Sequence, residues 1–170
     1  MKILIVVDMQ KDFIDGALGT PEAVAIVPAV KALIEGFEGS VYFTRDTHFE
    51  NYMQTEEGKH LPVPHCIKDT EGWQIHPALD ALRKTAPIDK VTFGSKELIS
   101  LLAEQKEEVE SITLCGLCTD ICVISNAMLI KAALPEVPLT VDAACCAGVT
   151  PASHRTALEA MKMCQIRVVE

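Results

Sequence analysis

No run of apolar residues in this chain approaches the ~18 needed to cross a bilayer as a helix. Basic residues are also scarce: 15 Lys and Arg stand against 24 Asp and Glu, a net charge of −9 over 170 residues. A phosphate-bearing partner calls for a basic stripe, so neither nucleic acid nor an anionic membrane is expected as a partner. There is no internal repeat, low-complexity segment or Pro/Ser linker, which leaves a single domain over residues 1–170. The opening MKILIVVD resembles a signal h-region for six residues, but Asp8 and Lys11 end it and no small-residue cleavage site follows. Cytoplasmic residence is the expectation. Cys115 and Cys118 form a C-x-x-C with no second pair to complete a zinc knuckle.

What remains is an ordinary soluble composition, 49% apolar and 23% charged. Apolar runs of strand length alternate with helical patterns. The strands are predicted over 3–7, 40–44, 86–90, 111–115, 139–141 and 166–169. Most are continuous rather than alternating, as expected for parallel strands covered on both faces. Thr20-Pro21-Glu22 supplies a cap, a first-turn proline and a first-turn acid for a helix running to Phe37. Ser95 caps a helix over 96–105. Further helices are predicted over 122–134 and 151–164, with a short one near 76–84. This alternation predicts an α/β fold, a doubly wound sheet whose ligand crevice lies at the carboxyl ends of the strands. Asp8, Arg45-Asp46, Lys90 and the segment GLCTDIC all fall at that edge.

Seven cysteines, an odd number set mostly in apolar runs, suggest free thiols in a reducing compartment. Cys115, Cys145, Cys146 and Cys164 read as small core residues, while Cys66 is left open because it adjoins His65. Cys122 stands where the loop after the fourth strand becomes a helix, with Thr119 or Asp120 as its cap. The helix N-terminus would lower its pKa, a nearby lysine would add to that, and a carboxylate could accept its proton. The alternative is C-x-x-C redox chemistry, which a fast Cys115–Cys118 disulfide would reveal. Residues 45–66 lack clear periodicity and gather Asp46, His48, Glu56, Glu57, His60 and His65, a mixed N/O set suited to Zn, Mn or Fe.

In order along the chain, VVDMQKDF, RDTH, LPVPHC, DKVTFGS and GLCTDICV resemble the isochorismatase-like cysteine hydrolase superfamily, especially its nicotinamidase/pyrazinamidase branch; DAACC and TPASHRTALEAM extend the likeness to about residue 161. The resemblance implies a Rossmann-like three-layer sandwich, with a six-stranded parallel sheet flanked by helices. It implies a triad of Asp8, Lys90 and Cys122, a cis peptide between Leu117 and Cys118, and an oxyanion hole from the N–H groups of Cys118 and Cys122. Phe13 and Leu117 would border the substrate. A divalent transition metal, Zn before Mn or Fe, would bind Asp46, His48 and His65 with Glu57 as the best-matched fourth ligand, Glu56 and His60 staying open. The implied reaction is hydrolysis of a small primary amide through a thioester, nicotinamide to nicotinate and ammonia, as in NAD salvage. A carbamoyl-amide hydrolase is the runner-up. A homo-oligomer is implied as well.

Overall fold

A computed structural model describes residues 1–170. Six strands, β1 (Lys2–Val7), β2 (Ser40–Asp46), β3 (Ile88–Lys90), β4 (Ser111–Leu117), β5 (Leu139–Ala147) and β6 (Arg167–Val169), pair in parallel in the order β3-β2-β1-β4-β5-β6. Seven α-helices flank and connect them: α1 (Lys11–Ile14), α2 (Pro21–Gly36), α3 (Glu56–His60), α4 (Pro77–Asp80), α5 (Lys96–Glu104), α6 (Ile124–Ala133) and α7 (Pro151–Met163). Successive side chains of a strand point to opposite faces, so the unbroken burial of Ile3 to Val7 means that β1 is covered on both sides. The expected six-stranded α/β sheet is therefore present.

Two of the predicted caps act as caps. The Thr20 hydroxyl accepts from the Ala23 N–H and opens α2, and Ser95 accepts from Leu98 N–H and opens α5. The expected helix near 76–84 shortens to the four residues of α4. Three strands, β2, β4 and β5, run past their expected ends. β5 continues through Cys146 and Ala147, because pairing with β4 reaches Leu117↔Ala147, even though Asp142 interrupts the apolar run that the sequence shows. Residues 45–66 are not all irregular either: a 3₁₀ turn (Tyr52–Gln54) and α3, capped by Thr55, lie within them.

This strand order reverses direction between β1 and β4, and the crevice of such a sheet opens at that reversal. Asp8 leaves the end of β1 and the cysteine-bearing turn leaves the end of β4, so the two flank the same opening. Their close approach depends on Gly116, opposite Val7 in the ladder, with φ of +116°. A Cβ on Gly116 would lie 2.1 Å from the Val7 carbonyl oxygen, so no side chain fits. Gly116→Ala should cost about 3 kcal/mol of stability, read as a lower urea midpoint with an unchanged m-value.

Candidate active site and metal centre

Lys90, the last residue of β3, is almost fully buried, and its ammonium is the hub of the site. Nζ lies 2.6 Å from Asp8 Oδ2, 3.3 Å from Asp46 Oδ1 and 3.5 Å from Cys122 Sγ, and it donates to the Thr92 carbonyl at 3.2 Å. Burial opposes its charge, but the two carboxylates and the sulfur outweigh that and hold the ammonium protonated. Asp8 sits at the end of β1 with φ of 46°. The Thr44 hydroxyl donates to its Oδ1 at 2.7 Å, while Oδ2 has no hydrogen-bond partner beyond the Lys90 ion pair. Burial pushes the Asp8 carboxyl up, and Lys90 counters only part of the shift.

Cys122 is buried inside a single π-helical turn, Thr119–Val123, ahead of α6. Two expectations about it need correction. Neither Thr119 nor Asp120 caps the turn: the N-cap is Cys118, without a side-chain bond. Thr119 is instead hydrogen-bonded to His154 Nδ1 at 2.7 Å, and Asp120 accepts from the Val149 N–H. Nor is the thiol acidified by its position. Burial pushes Cys122 well up, the Asp8 charge adds to that, and Lys90 alone pulls the other way to any extent. Burial and the neighbouring carboxylate charge both favour the neutral thiol at Cys122.

The structure brings the other expected residues to the same edge. The Leu117–Cys118 peptide is cis. Phe13, Leu117, Cys118 and Cys122 border a cavity of about 240 Å³ whose remaining wall includes Asp46, Glu57 and His65. Phe13 also packs against the His65 ring at 5.4 Å. Several lining residues had no role assigned from the sequence: Leu61, Phe93 and Ile121 lie within the quoted motifs and Leu18 and Val149 outside them, apolar side chains on five separate segments. Trp73 is not among them; it lies under the Arg45 guanidinium and donates to Thr47.

Beside the triad, one ligand atom each from Asp46, His48, Glu57 and His65 fall within 4.8 Å of one another. His48 Nε2 is 2.9 Å from Asp46 Oδ2 and 3.5 Å from Glu57 Oε1; His65 Nε2 is 3.7 and 3.6 Å from the same two oxygens. The His65 Nδ1–H donates to the Val63 carbonyl at 2.8 Å, which leaves the Nε2 lone pair turned toward the cluster. Two imidazoles and two carboxylates at this spacing fit a divalent transition ion. Charge argues the same way, since Asp8, Asp46 and Glu57 face the single lysine. Glu56 and His60 do not join: Glu56 pairs with Lys59, and His60 Nδ1 bonds the Glu56 carbonyl.

The positioning behind these groups includes two residues of VVDMQKDF, Gln10 and Asp12, to which the sequence reading gave no role. The buried Gln10 accepts from the Asp46 N–H at 2.7 Å through Oε1, and its Nε2 donates to the carbonyls of Asp46 and Trp73. A one-residue parallel bridge, His48↔Ile67, holds the His65 segment against the end of β2. Asp12 fixes the same segment by accepting from the Cys66 N–H at 2.8 Å. A buried Gln two residues after Asp8 was the available signal.

A profile of the isochorismatase domain matches residues 2–170. The chain belongs to that family. Among solved structures of family members, it is 30% identical to the pyrazinamidase of Pyrococcus horikoshii in complex with zinc, with a TM-score of 0.82 over 99% of this chain and 98% of that one. A nicotinamidase/pyrazinamidase from Bacillus subtilis is 27% identical, with a TM-score of 0.81 over 99% of each chain. The nicotinamidase/pyrazinamidase of Mycobacterium tuberculosis is 26% identical over 187 residues, covering 99% of this chain and 98% of that protein.

Within this isochorismatase-family chain the remaining cysteines sort by burial. Cys115, Cys145 and Cys146 are core residues as expected, and Cys66 proves to be one too. Cys115 lies inside β4 with its thiol pushed well up by burial, a setting that does not resemble a redox pair opening a helix. Cys164 is the exception to the expected core role: it follows the last turn of α7 and is exposed. Alkylation at neutral pH should therefore label Cys164 first, and a peptide map should show Cys122 modified more slowly, in the wild type and in Cys164→Ser alike.

The metal cluster carries its own pH dependence. Burial disfavours a charged His48, but hydrogen bonds and charge from Asp46 and Glu57 prevail and raise it to about 9. Below that pH the ion-free cluster holds a proton that an incoming cation must displace. Zinc affinity should thus fall about tenfold per pH unit between roughly pH 8 and 6, with about one proton released per ion near pH 7, checked by chelator competition and unbuffered titration.

Proposed function

We propose that this protein is a cysteine amidohydrolase of the nicotinamidase type, cleaving a small primary amide on a single heteroaromatic ring, nicotinamide in the first instance. The family assignment makes it a hydrolase of amide C–N bonds. One observation carries the finer reading: a single carboxylate, Asp46, faces the Lys90–Asp8–Cys122 group through Oδ1 and the two-histidine cluster through Oδ2, at the wall of a cavity of ring size. A hydrolase that needed only the triad would have no use for the second half of that arrangement.

In this mechanism Asp8 Oδ2 takes the proton of the Cys122 thiol, burial having raised the carboxyl and with it its basicity. Lys90 stays protonated throughout and balances the negative charge that moves between carboxylate and sulfur. Sγ attacks the amide carbonyl carbon, and the carbonyl oxygen turns toward the N–H groups of Cys118 and Cys122. Such donors typically contribute about 3 kcal/mol each to lowering the barrier. Asp8 returns its proton to the departing nitrogen, ammonia leaves, and water cleaves the thioester to release the acid. Phe13 and Leu117 confine the ring. A divalent ion held by Asp46, His48, Glu57 and His65 would supply Lewis acidity toward a ring nitrogen and a fixed positive charge.

Ammonia release from nicotinamide, pyrazinamide and an N-carbamoyl amide is the direct test. Nicotinamide and pyrazinamide should turn over, and Cys122→Ala should lower their rates by about 10³-fold or more while the circular dichroism spectrum is retained. His48→Ala should lose the transition metal found by elemental analysis in the wild type. Turnover of the carbamoyl substrate alone, or undiminished turnover in Cys122→Ala, would overturn the proposal.

A further inference from the structure

The ring-sized cavity is not closed on the side away from β1. Its wall residues Glu57, Leu61, Phe93 and Ile121 are also the wall of a second, open trough of about 610 Å³, more than twice the volume of the first. The trough begins behind the metal cluster, where His48 and Glu57 form one end, and runs out over the segment after β3. One flank is apolar, with Val91 62% exposed and Phe93 44% exposed. The other flank is polar, made by Thr55, Glu56 and His60. The amide chemistry described above uses none of these outer side chains.

We infer that the trough is an extension subsite, and that the protein accepts ring amides carrying a second, planar aromatic group which leaves the cavity between Leu61 and Phe93 and lies along Val91. This rests on the amidase reading and specifies its substrate class. The physical case is adjacency and surface type. The four shared residues form the rim along which the two spaces abut. Phe93 at the threshold presents a ring against which a planar group can stack, a contact worth about 0.5–1.5 kcal/mol beyond burial. The apolar flank gains by being covered, and the hydroxyl and imidazole opposite leave room for polar substituents at the outer end.

The test compares kcat/KM for nicotinamide, 5-phenylnicotinamide and 6-phenylnicotinamide in the wild-type protein and in two variants that fill the trough without reaching the cavity, Val91→Trp and His60→Trp. The better phenyl isomer should stay within about tenfold of nicotinamide. At least one variant should lower that isomer by about tenfold or more while nicotinamide changes less than about twofold. Phenyl amides that are poorer than this beside good nicotinamide turnover, or that are undiminished in both variants, overturn the extension subsite and leave the amidase reading intact. Absence of turnover with all three amides overturns both.

Discussion

A lysine with almost no access to solvent must be surrounded by opposite charge, and the architecture of this site follows from that requirement. Lys90 is held between Asp8 and Asp46, which reach it from the ends of two neighbouring strands. Removing one member of such a buried pair typically costs about 3–5 kcal/mol, so the three residues stabilise one another's placement. Cys122 is then set against an ammonium already neutralised by carboxylates. Burial raises its thiol, and so compensated a cation does not offset that.

The strand register converts this requirement into geometry. β1, β2 and β3 are adjacent, and Thr44↔Ile88 through Asp46↔Lys90 set the acid and the base side by side. Because all the strands are parallel, their polar ends lie at one edge. Much of this could be read from the chain alone. The β1 run and its terminal Asp8, the Thr20 and Ser95 caps, and the loop gathering Asp46, His48, Glu56, Glu57, His60 and His65 all rest on local signals, whereas the choice of four among those six came with the family resemblance. Those signals survive folding because strand ends and helix starts are determined within a few residues.

What escaped the sequence has a common character. Thr119 and Asp120 have the right chemistry to cap a helix, yet their side chains are taken up by His154 and by the Val149 N–H, partners about thirty residues away. Gln10 and Thr44 orient both aspartates through bonds to residues 36 positions distant. The cysteine pKa expectation failed for a related reason: dipole direction is local, whereas the desolvation that dominates is a property of the packed core. Cys164 was misread because its apolar neighbours belong to the last turn of α7, whose end is solvated. Long-range polar partnership and depth of burial are the two quantities that a linear pattern encodes least.

Asn126, on the second residue layer of α6, received no role above. Its Oδ1 accepts from the Ser95 N–H, and its Nδ2 donates to the carbonyls of Phe93 and Cys122. One buried amide thus pins the segment that carries the outer cavity wall to the turn that carries the nucleophile. Outward movement of the Phe93 segment and movement of the Cys122 turn are thus opposed by the same set of buried hydrogen bonds.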